Sequence, residues 1–567
     1  MSAGLPGTPT ARAAAAYARI AEVDRPEVWI TLRPQQELAS EATELERRIG
    51  EGEDLPLAGL LLAVKDNVDV AGLPTTAACP EFAYPATETA TAVARLVAAG
   101  ALVLGKTNLD QFATGLVGTR SPYGAVRNAL YPELISGGSS SGSAAAVALG
   151  IADLAIGTDT AGSGRVPAAL HGIVGIKASL GVIPAHGVVP ACADYDAVTV
   201  FAADLDLAVT AAKTMAGSDS RDPRSRAWPA DVRLATSSEP KVAIPRPADL
   251  APLSAAYRAA FAETVATLRD QGVAVHEIDI SPLLDAARLL YDGAIVAERY
   301  AAVGEFVDKG AAGLDPTVAG IISAAKELDA HAFVADLDTL AKTRATALPA
   351  GYDGLLLPTT TEHPSIAEVT ADPLAINRRL GTYTNFCNLL DLAAVAVPGA
   401  PTADGLPFGV MVVVPAFADQ LAVDLAARLT GTPSPLLVET GVPLAVFGAH
   451  LRGQPLHWQL EQLGARFAGE ITTSDAYRLT ALDTTPPKPG LVRHGEGRGA
   501  PIRGELFLVS PGGLGRFLAE LPPPMALTSI ELSDGRSVVG FACSYDAAVA
   551  ATDITGYGGW TAYLRDR

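Results

Sequence analysis

Six short apolar runs, separated by alanine-rich stretches with helical spacing, limit the fold more than any other feature of the sequence. They occupy residues 59–64, 101–104, 153–156, 354–357, 393–397 and 409–414. Short apolar runs between helices are typical of strands that are buried on both faces of a sheet. The pattern therefore predicts an α/β fold, with a mixed β-sheet core flanked by helices. Residues 10–22 and 34–48 also have helical spacing, which predicts a pair of helices outside this core.

The chain has 567 residues, more than one hydrophobic core usually spans, so more than one domain is expected. Prolines and glycines cluster after a predicted helix at residues 419–429 and indicate a linker at residues 434–442. We therefore expect a large domain at residues 1–433 and a second, smaller domain at residues 443–567. The second region is predicted to be β-rich because turn-forming sequences recur in it.

The charge balance argues against a nucleic-acid partner. The formal net charge is -20, from 42 Lys+Arg against 62 Asp+Glu, and no dense basic patch is visible. Such a chain repels phosphate backbones and anionic lipid. No run of 18 apolar residues is present, so no membrane span is expected. Arg12 and Arg19 interrupt the alanine-rich N-terminus, which therefore lacks the apolar segment of a signal peptide.

The four cysteines have no spacing that suggests a metal site or a redox pair. Widely separated cysteines without partners are typical of buried thiols in a reducing compartment. We therefore expect a cytoplasmic protein with no metal and no cofactor. The four residues are Cys79, Cys192, Cys387 and Cys543.

Two segments rich in glycine and serine flank one predicted helix–strand unit. Residues 136–143 have the sequence SGGSSSGS, and residues 157–167 have the sequence GTDTAGSGRVP. Glycine lets the backbone approach a ligand closely, and successive exposed N–H groups form an anion-binding concavity. A phosphate cradle has a similar composition, but neither GxxxxGK[ST] nor a GxGxxG between strand and helix is present. The phosphate interpretation is therefore weakly supported.

Three segments together resemble the amidase signature family. They are GGSSSGSAAAVALGIADLAIGTDTAGSGRVPAALHGIVGIKASLG, AVKDNVDVAGLPTTAACP and GALVLGKTNLDQFATG, and they cover much of residues 59–200 in the family's order. The chain departs from the usual Gly-Gly-Ser-Ile motif at Ala161 and Gly164, and we expect both changes to be tolerated. The resemblance implies the amidase fold for the large domain and hydrolysis of an amide as its reaction.

The same resemblance assigns Ser163 as the nucleophile, Ser139 as a bridging serine that follows a cis peptide bond, and Lys65 as the base. A serine hydroxyl is a poor nucleophile without a base, and no histidine stands in this motif. Lys65 can serve if burial lowers its pKa from about 10.4 toward neutrality. The resemblance places the oxyanion hole at the backbone N–H groups of Thr160, Ala161, Gly162 and Ser163.

Each of these residues also has a simpler interpretation. A single lysine after an apolar strand is usually a surface residue, and a run of serine and glycine is usually a flexible loop. Three matching segments in the right order disfavour these interpretations. Asp159 and Arg165 are predicted to form a hydrogen-bonded pair that supports the loop, and His171 and His186 are interpreted as structural.

Residues 288–300 are predicted to be helical and resemble the substrate-recognition segment of allophanate hydrolases. The resemblance places Tyr291 and Arg299 on the substrate. Eight residues span a little over two helical turns, so the two side chains are expected to point into one pocket. A guanidinium can hold a carboxylate with two hydrogen bonds, which suits allophanate, a urea that carries a carboxylate. Alternatively, Arg299 forms a salt bridge on a solvated helix face.

The C-terminal region resembles the appended domain of allophanate hydrolases and urea amidolyases, which is similar to the γ-glutamylcyclotransferase-like β-barrel. The stretches that carry this resemblance are VFGAHLRGQPLHWQLEQLGARF, YRLTALDTTPPKPGLVR and DITGYGGWTAYL. The implied reaction converts allophanate to ammonia and carbon dioxide through an acyl-enzyme. His450 is the candidate for assisting a decarboxylation in this domain. A purely structural or oligomerising domain is the alternative.

The resemblance implies a small anionic amide as substrate. We also expect a homodimer, with a larger complex with other enzymes of a urea or cyanurate pathway as a further option. Two alternatives remain. The first is another member of the amidase signature family that acts on a different small amide. The glutamine-cleaving subunit of a tRNA-dependent amidotransferase is an example, although the acidic balance and the extra domain of this chain disfavour it. A non-catalytic assembly or binding subunit is the second alternative, and the retention of Lys65, Ser139 and Ser163 argues against it.

Overall fold

The computed structural model describes residues 7–567, so the first six residues of the predicted large domain lie outside the described part of the chain. The chain forms two compact units. Unit 1 comprises Met1–Ala227 and Pro240–Leu437, and unit 2 comprises Trp228–Glu239 and Val438–Arg567. The short segment of unit 2 was assigned to the large domain from the sequence. It belongs to unit 2 because the N–H groups of Leu234 and Ala235 both donate to the carbonyl oxygen of Gly464.

Unit 1 is built around a sheet of eleven strands, which run in the order β1-β5-β2-β6-β8-β7-β12-β13-β11-β9-β10. Two further strands, β3 and β4, form a separate ribbon. The strands of unit 1 are β1 (Trp29–Leu32), β2 (Leu61–Lys65), β3 (Pro74–Thr75), β4 (Tyr84–Pro85), β5 (Leu102–Thr107), β6 (Leu154–Asp159), β7 (Val174–Lys177), β8 (Ala197–Ala202), β9 (Lys241–Pro245), β10 (Ala274–Ile278), β11 (Gly354–Pro358), β12 (Leu392–Pro398) and β13 (Gly409–Pro415).

The sheet is mixed. Strand β2 pairs in parallel with β5 and β6, whereas β6, β8, β7, β12, β13 and β11 form a run of antiparallel pairs. All residues of β2, β5, β6 and β11 are buried, as expected for strands covered on both faces. The predicted mixed α/β core is therefore confirmed.

Fifteen α-helices surround this sheet in the described part of unit 1. They are α1 (Pro9–Val23), α2 (Gln35–Gly50), α3 (Thr91–Ala98), α4 (Ser141–Ala148), α5 (Val166–His171), α6 (Leu205–Met215), α7 (Ala255–Asp270), α8 (Ser281–Arg288), α9 (Ala297–Val307), α10 (Pro316–Ala324), α11 (Ala330–Arg344), α12 (Ile366–Ala371), α13 (Pro373–Leu380), α14 (Asn385–Leu389) and α15 (Asp419–Thr430). Helices α1 and α2 confirm the predicted N-terminal pair. Short 3-10 turns lie at Pro26–Val28, Pro80–Phe82, Gln111–Ala113, Pro247–Leu250, Ala294–Val296 and Ala325–Glu327.

The predicted continuous helix over residues 288–300 is wrong. Helix α8 ends at Arg288, a turn follows, and helix α9 begins at Ala297. The turn is fixed by Asp336, whose Oδ2 accepts the N–H of Ala294 at 2.6 Å. The backbone of Gly293 is extended, which interrupts the helix. Glycine fits there because a Cβ atom would lie 2.6 Å from Asp336 Oδ2 and 2.8 Å from the Leu289 carbonyl oxygen.

Unit 2 is small and β-rich, as predicted. It contains a five-stranded sheet in the order β15-β18-β14-β20-β19 and a three-stranded sheet in the order β17-β16-β21. The strands are β14 (Val442–Val446), β15 (Arg466–Thr472), β16 (Tyr477–Leu482), β17 (Lys488–Arg493), β18 (Arg503–Val509), β19 (Met525–Glu531), β20 (Ser537–Cys543) and β21 (Thr552–Asp553), with helices α16 (His457–Gln462), α17 (Pro511–Ala519), α18 (Tyr545–Ala550) and α19 (Trp560–Arg565) and a 3-10 turn at Thr555–Tyr557.

Candidate active site

Lys65 is the last residue of the buried strand β2, and its side chain is completely buried. Desolvation lowers the pKa of Lys65 to about 7, against the opposing effect of the carboxylates of Asp110, Asp159 and Asp196. A substantial fraction of this side chain is therefore a neutral amine at neutral pH. The structure thus provides the condition that a lysine base requires.

The Lys65 amine contacts two hydroxyl groups. Its Nζ lies 2.7 Å from Ser139 Oγ and 2.7 Å from Thr158 Oγ1. The peptide bond between Gly138 and Ser139 is cis. Thr158 was not singled out in the sequence, although it lies in the GTDT motif at the end of β6. Its hydroxyl fixes the amine beside Ser139.

Ser163 lies in the loop between β6 and α5 and is almost fully buried. Within residues 7–567, its Oγ atom forms no hydrogen bond, so the hydroxyl remains available. Asp159 and Arg165 form a fully buried ion pair at the base of this loop, joined by two side-chain hydrogen bonds of 2.9 Å. The predicted supporting pair is confirmed.

The loop exposes fewer N–H groups than expected. Asp159 Oδ1 accepts the N–H of Gly162 and Oδ2 accepts that of Gly164, both at 2.9 Å. The N–H of Gly162 is therefore occupied, which differs from its predicted place in the oxyanion hole. In the described chain, the N–H groups of Thr160, Ala161 and Ser163 have no acceptor. These three groups remain available for a developing oxyanion.

Helix α14 and the residue before it hold the loop from the other side. The Thr384 hydroxyl donates to the Ala161 carbonyl at 2.7 Å. The Asn388 amide donates to the Asp159 carbonyl at 2.7 Å and accepts from Arg165. No local pattern pointed to Thr384 or Asn388, because their importance depends on contacts across more than 200 residues of sequence. Their contacts hold the loop before substrate arrives.

Arg299 and Tyr291 meet, although not on one helix. Tyr291 lies in the turn after α8 and Arg299 in α9, and Arg299 Nη2 donates to the Tyr291 hydroxyl at 3.3 Å. The guanidinium is buried, and its Nε has no partner. Residues 7–567 contribute no carboxylate within ion-pair distance of it. The interpretation of Arg299 as a solvated salt-bridge residue is therefore wrong.

His450 lies in unit 2, beside a cavity of about 180 Å³ whose lining includes Lys488, Phe517 and Phe541. The imidazole stacks on Phe541 with 4.7 Å between ring centroids, and its Nε2 lies 2.8 Å from Gln459 Oε1. Burial lowers the pKa of His450 to about 4, so the ring is neutral at pH 7. A neutral imidazole beside a cavity can exchange a proton or position a small ligand.

The remaining candidates lie apart from this chemistry. His171 Nδ1 lies 2.9 Å from the Pro167 carbonyl oxygen at the end of α5, and His186 Nε2 lies 3.7 Å from Glu88. All four cysteines are buried and unpaired, as predicted. Residues 7–567 contain no cluster of three His, Cys, Asp or Glu side chains suited to a metal ion. None of the described helices is long and apolar enough to cross a bilayer.

The sequence matches two protein-family descriptions. Residues 12–423 match the family described as Amidase, and residues 442–565 match the family described as Allophanate hydrolase C-terminal domain. Together these matches cover almost the whole chain.

Individual relatives and solved structures agree with these matches. Urea amidolyase of Saccharomyces cerevisiae is 41% identical over 96% of this chain, which spans only 31% of that longer protein. Allophanate hydrolase of Kluyveromyces lactis superposes with a TM-score of 0.87 at 39% identity, covering 99% of this chain and 97% of that one. A glutamyl-tRNA(Gln) amidotransferase subunit of Deinococcus deserti is 32% identical over 75% of this chain and 93% of its own length.

Proposed function

The chain belongs to the amidase family, and from this membership we propose that it hydrolyses allophanate to ammonia and carbon dioxide. One observation carries the choice of substrate. The Arg299 guanidinium is buried in unit 1 with no carboxylate partner among the described residues. Arginine does not lose its charge in proteins, so this site is suited to an anionic ligand. Allophanate joins a carboxylate to the amide bond that an amidase cleaves.

Proton transfer through the two serines begins the reaction. The neutral Lys65 amine takes a proton from Ser139, and Ser139 takes one from Ser163. Ser163 Oγ then attacks the amide carbonyl carbon of allophanate, and negative charge develops on the carbonyl oxygen. The free N–H groups of Thr160, Ala161 and Ser163 stabilise this charge.

The leaving nitrogen receives the proton back through the same relay and departs as ammonia. Water then attacks the acyl-enzyme at Ser163 and releases a nitrogen that carries two carboxylates. This product loses carbon dioxide, and the resulting carbamate gives the second ammonia and the second carbon dioxide. One water and one proton balance the conversion of each allophanate anion to two ammonia and two carbon dioxide.

Tyr291 and Arg299 hold the substrate carboxylate during these steps. The unpartnered Nε and the Nη2 that contacts Tyr291 share one edge of the guanidinium. That edge matches the two oxygens of a carboxylate. The Tyr291 hydroxyl can add a third hydrogen bond at the same place.

His450 is proposed to assist the decarboxylation. Lys488 supplies a positive charge to the His450 cavity, and aromatic rings line its wall. These groups suit a small anion with a carboxylate that leaves as carbon dioxide. A structural role for unit 2 is the alternative, and substitution of His450 distinguishes the two.

Ammonia release from a substrate panel tests the proposal. We expect rapid release from allophanate, slower release from malonamate, and little release from biuret or glutamine, which lack a carboxylate placed like that of allophanate. Labelling of Ser163 by a fluorophosphonate probe tests the nucleophile separately from the substrate. Preferred hydrolysis of glutamine would instead support an amidotransferase function, and failure to label Ser163 would support a non-catalytic chain.

We also propose a cytoplasmic homodimer, with a larger complex with other enzymes of urea or cyanurate breakdown as a further option. The unpaired cysteines are consistent with a reducing compartment. Sedimentation equilibrium measures the oligomeric state, and a monomer at micromolar concentration would contradict the dimer.

A further inference from the structure

Besides Tyr291, the Arg299 guanidinium contacts a second side chain, that of Thr114. Arg299 Nη1 donates to Thr114 Oγ1 at 2.8 Å. Thr114 is completely buried, and its hydroxyl donates its own hydrogen to the Phe112 carbonyl at 3.1 Å. Because that hydrogen is already used, the hydroxyl can only accept from Arg299. In this contact Arg299 is therefore always the donor and Thr114 always the acceptor.

The loop that carries Thr114 is held firmly in place. The Thr114 N–H donates to the Gln111 carbonyl at 3.0 Å, and the Thr114 carbonyl accepts from Arg120 at 3.0 Å. Nearby, the Asp110 carboxylate accepts three backbone N–H groups of the same loop, at 2.9–3.1 Å. Every polar group of Thr114 is thus bonded, so its hydroxyl is a rigid reference point for the guanidinium.

Thr114 determines which edge of the guanidinium remains free. The Nη1 group is occupied by Thr114 and, more weakly, by the Ala113 carbonyl at 3.5 Å. The edge formed by Nε and Nη2 keeps an unpartnered N–H and the contact with Tyr291. Because Thr114 is neutral, it orients the guanidinium without cancelling its charge.

We propose that Thr114 is a positioning residue that selects anionic substrates by turning the Nε–Nη2 edge of Arg299 toward the substrate carboxylate. This inference rests on the proposed function for the identity of the substrate. It adds a residue that touches neither the substrate nor the reacting atoms. Its effect should appear only where the substrate carries a carboxylate.

The test measures protection of Ser163 from a fluorophosphonate probe by malonamate and by malonamide, which have the same size and differ in charge. In Thr114→Val the hydroxyl is lost while the shape is nearly kept. We expect malonamate protection to weaken by ~10-fold, because a hydrogen bond to a charged group is lost. Malonamide protection and the unprotected labelling rate should stay at wild-type values. Thr114→Ser keeps the hydroxyl and should restore malonamate protection.

Two further variants separate positioning from folding. Thr264→Val is the matched control, because that buried hydroxyl also donates to a carbonyl, of Ala260, and accepts an N–H, from Ala400. It should leave the malonamate result unchanged. In an Arg299→Lys background, Thr114→Val should add no further loss, since both act through one guanidinium.

The outcomes for Thr114 and for the proposed substrate are independent. Equal weakening of malonamate and malonamide, or a slower labelling rate, would show that Thr114 only supports the fold. No change with either compound, or wild-type protein that malonamate does not protect, would also overturn the inference. If malonamate protection depends on Thr114 but allophanate is not hydrolysed, the role of Thr114 in anion binding is supported and allophanate is excluded as the substrate.

Discussion

At the scale of single residues, we propose that the protonation of Lys65 controls the chemistry. Burial lowers its pKa to about 7, and only the neutral amine can accept a proton. The rate of Ser163 labelling should therefore fall about tenfold per pH unit below pH 7 and reach a plateau above pH 8. The pH dependence of fluorophosphonate labelling measures this without interference from substrate ionisation. A rate that rises only near pH 10 would exclude a desolvated lysine base.

Alanine substitutions of Lys65, Ser139 and Ser163 should each abolish ammonia release while the circular dichroism spectrum is unchanged. We propose that the three residues act as one relay, so double variants should be hardly slower than single variants. Lys309→Ala, at an exposed lysine after α9, is the matched control and should retain full activity. Retention of more than about a tenth of the activity by Lys65→Ala at neutral pH would identify another base.

Arg299→Lys keeps a positive charge but loses the planar fork that binds two carboxylate oxygens. We expect kcat/KM for allophanate to fall by ~10- to 100-fold, which corresponds to about 1.5 to 3 kcal/mol. Slow hydrolysis of neutral amides should change little. Arg288→Lys is the control, because that side chain is exposed and pairs with Asp285. An equal effect of Arg299→Lys on both substrate classes would indicate a structural role.

Lys65, Ser139 and Ser163 could be predicted from the sequence because each lies in a short contiguous motif. The sequence did not lead to Thr158, Thr114 or Thr384. A threonine in the sequence does not indicate its contacts, and only the folded chain shows that Thr384 contacts Ala161. The occupied N–H of Gly162 was likewise invisible, since it depends on the direction of the Asp159 carboxylate. Motifs thus identify reactive groups, whereas the residues that orient them depend on tertiary contacts.

At the scale of elements, six buried strands were predicted and several others were missed, among them β7 and β8, which are fully buried as well. The six apolar runs correspond to β2, β5, β6, β11, β12 and β13. The missed strands include β10, which lies at the sheet edge and is largely exposed. An edge strand needs no continuous apolar run, because one side of it faces solvent. The prediction of one continuous helix over residues 288–300 was wrong for a different reason. The turn after α8 depends on Asp336, which lies in α11 and is distant in the sequence.

That turn gives a prediction at the element scale. In Gly293→Ala the new Cβ atom would lie 2.8 Å from the backbone carbonyl oxygen of Leu289 and 2.6 Å from Asp336 Oδ2. Because the Leu289 contact is with backbone, we expect the turn to shift and to move Tyr291 away from Arg299. We expect KM for allophanate to rise several-fold while Ser163 labelling is unchanged. Gly320→Ala in α10 is the control, because a Cβ atom there meets nothing within 4 Å. A wild-type KM in Gly293→Ala would show that the turn does not position Tyr291.

At the scale of the whole molecule, the two units are proposed to carry out successive steps on one substrate. In the proposed reaction, the first ammonia comes from the amide cleaved at Ser163, whereas the second appears only after the doubly carboxylated product loses carbon dioxide. A single time course of ammonia release therefore measures the step proposed for unit 1 in the first equivalent and the step proposed for unit 2 in the second. In the wild type, both equivalents should be released together.

His450→Asn should separate the two steps. The substitution removes the imidazole that stacks on Phe541 and borders the Lys488 cavity, and it leaves the residues of the Ser163 site unchanged. We expect the first equivalent of ammonia at the wild-type rate and the second delayed by about tenfold or more, as for loss of a group that assists proton transfer. His494→Asn, at a histidine of unit 2 that does not line the cavity, should leave both equivalents together. Simultaneous release of both equivalents by His450→Asn would mean that this cavity takes no part in decarboxylation and that unit 2 supports the enzyme in another way.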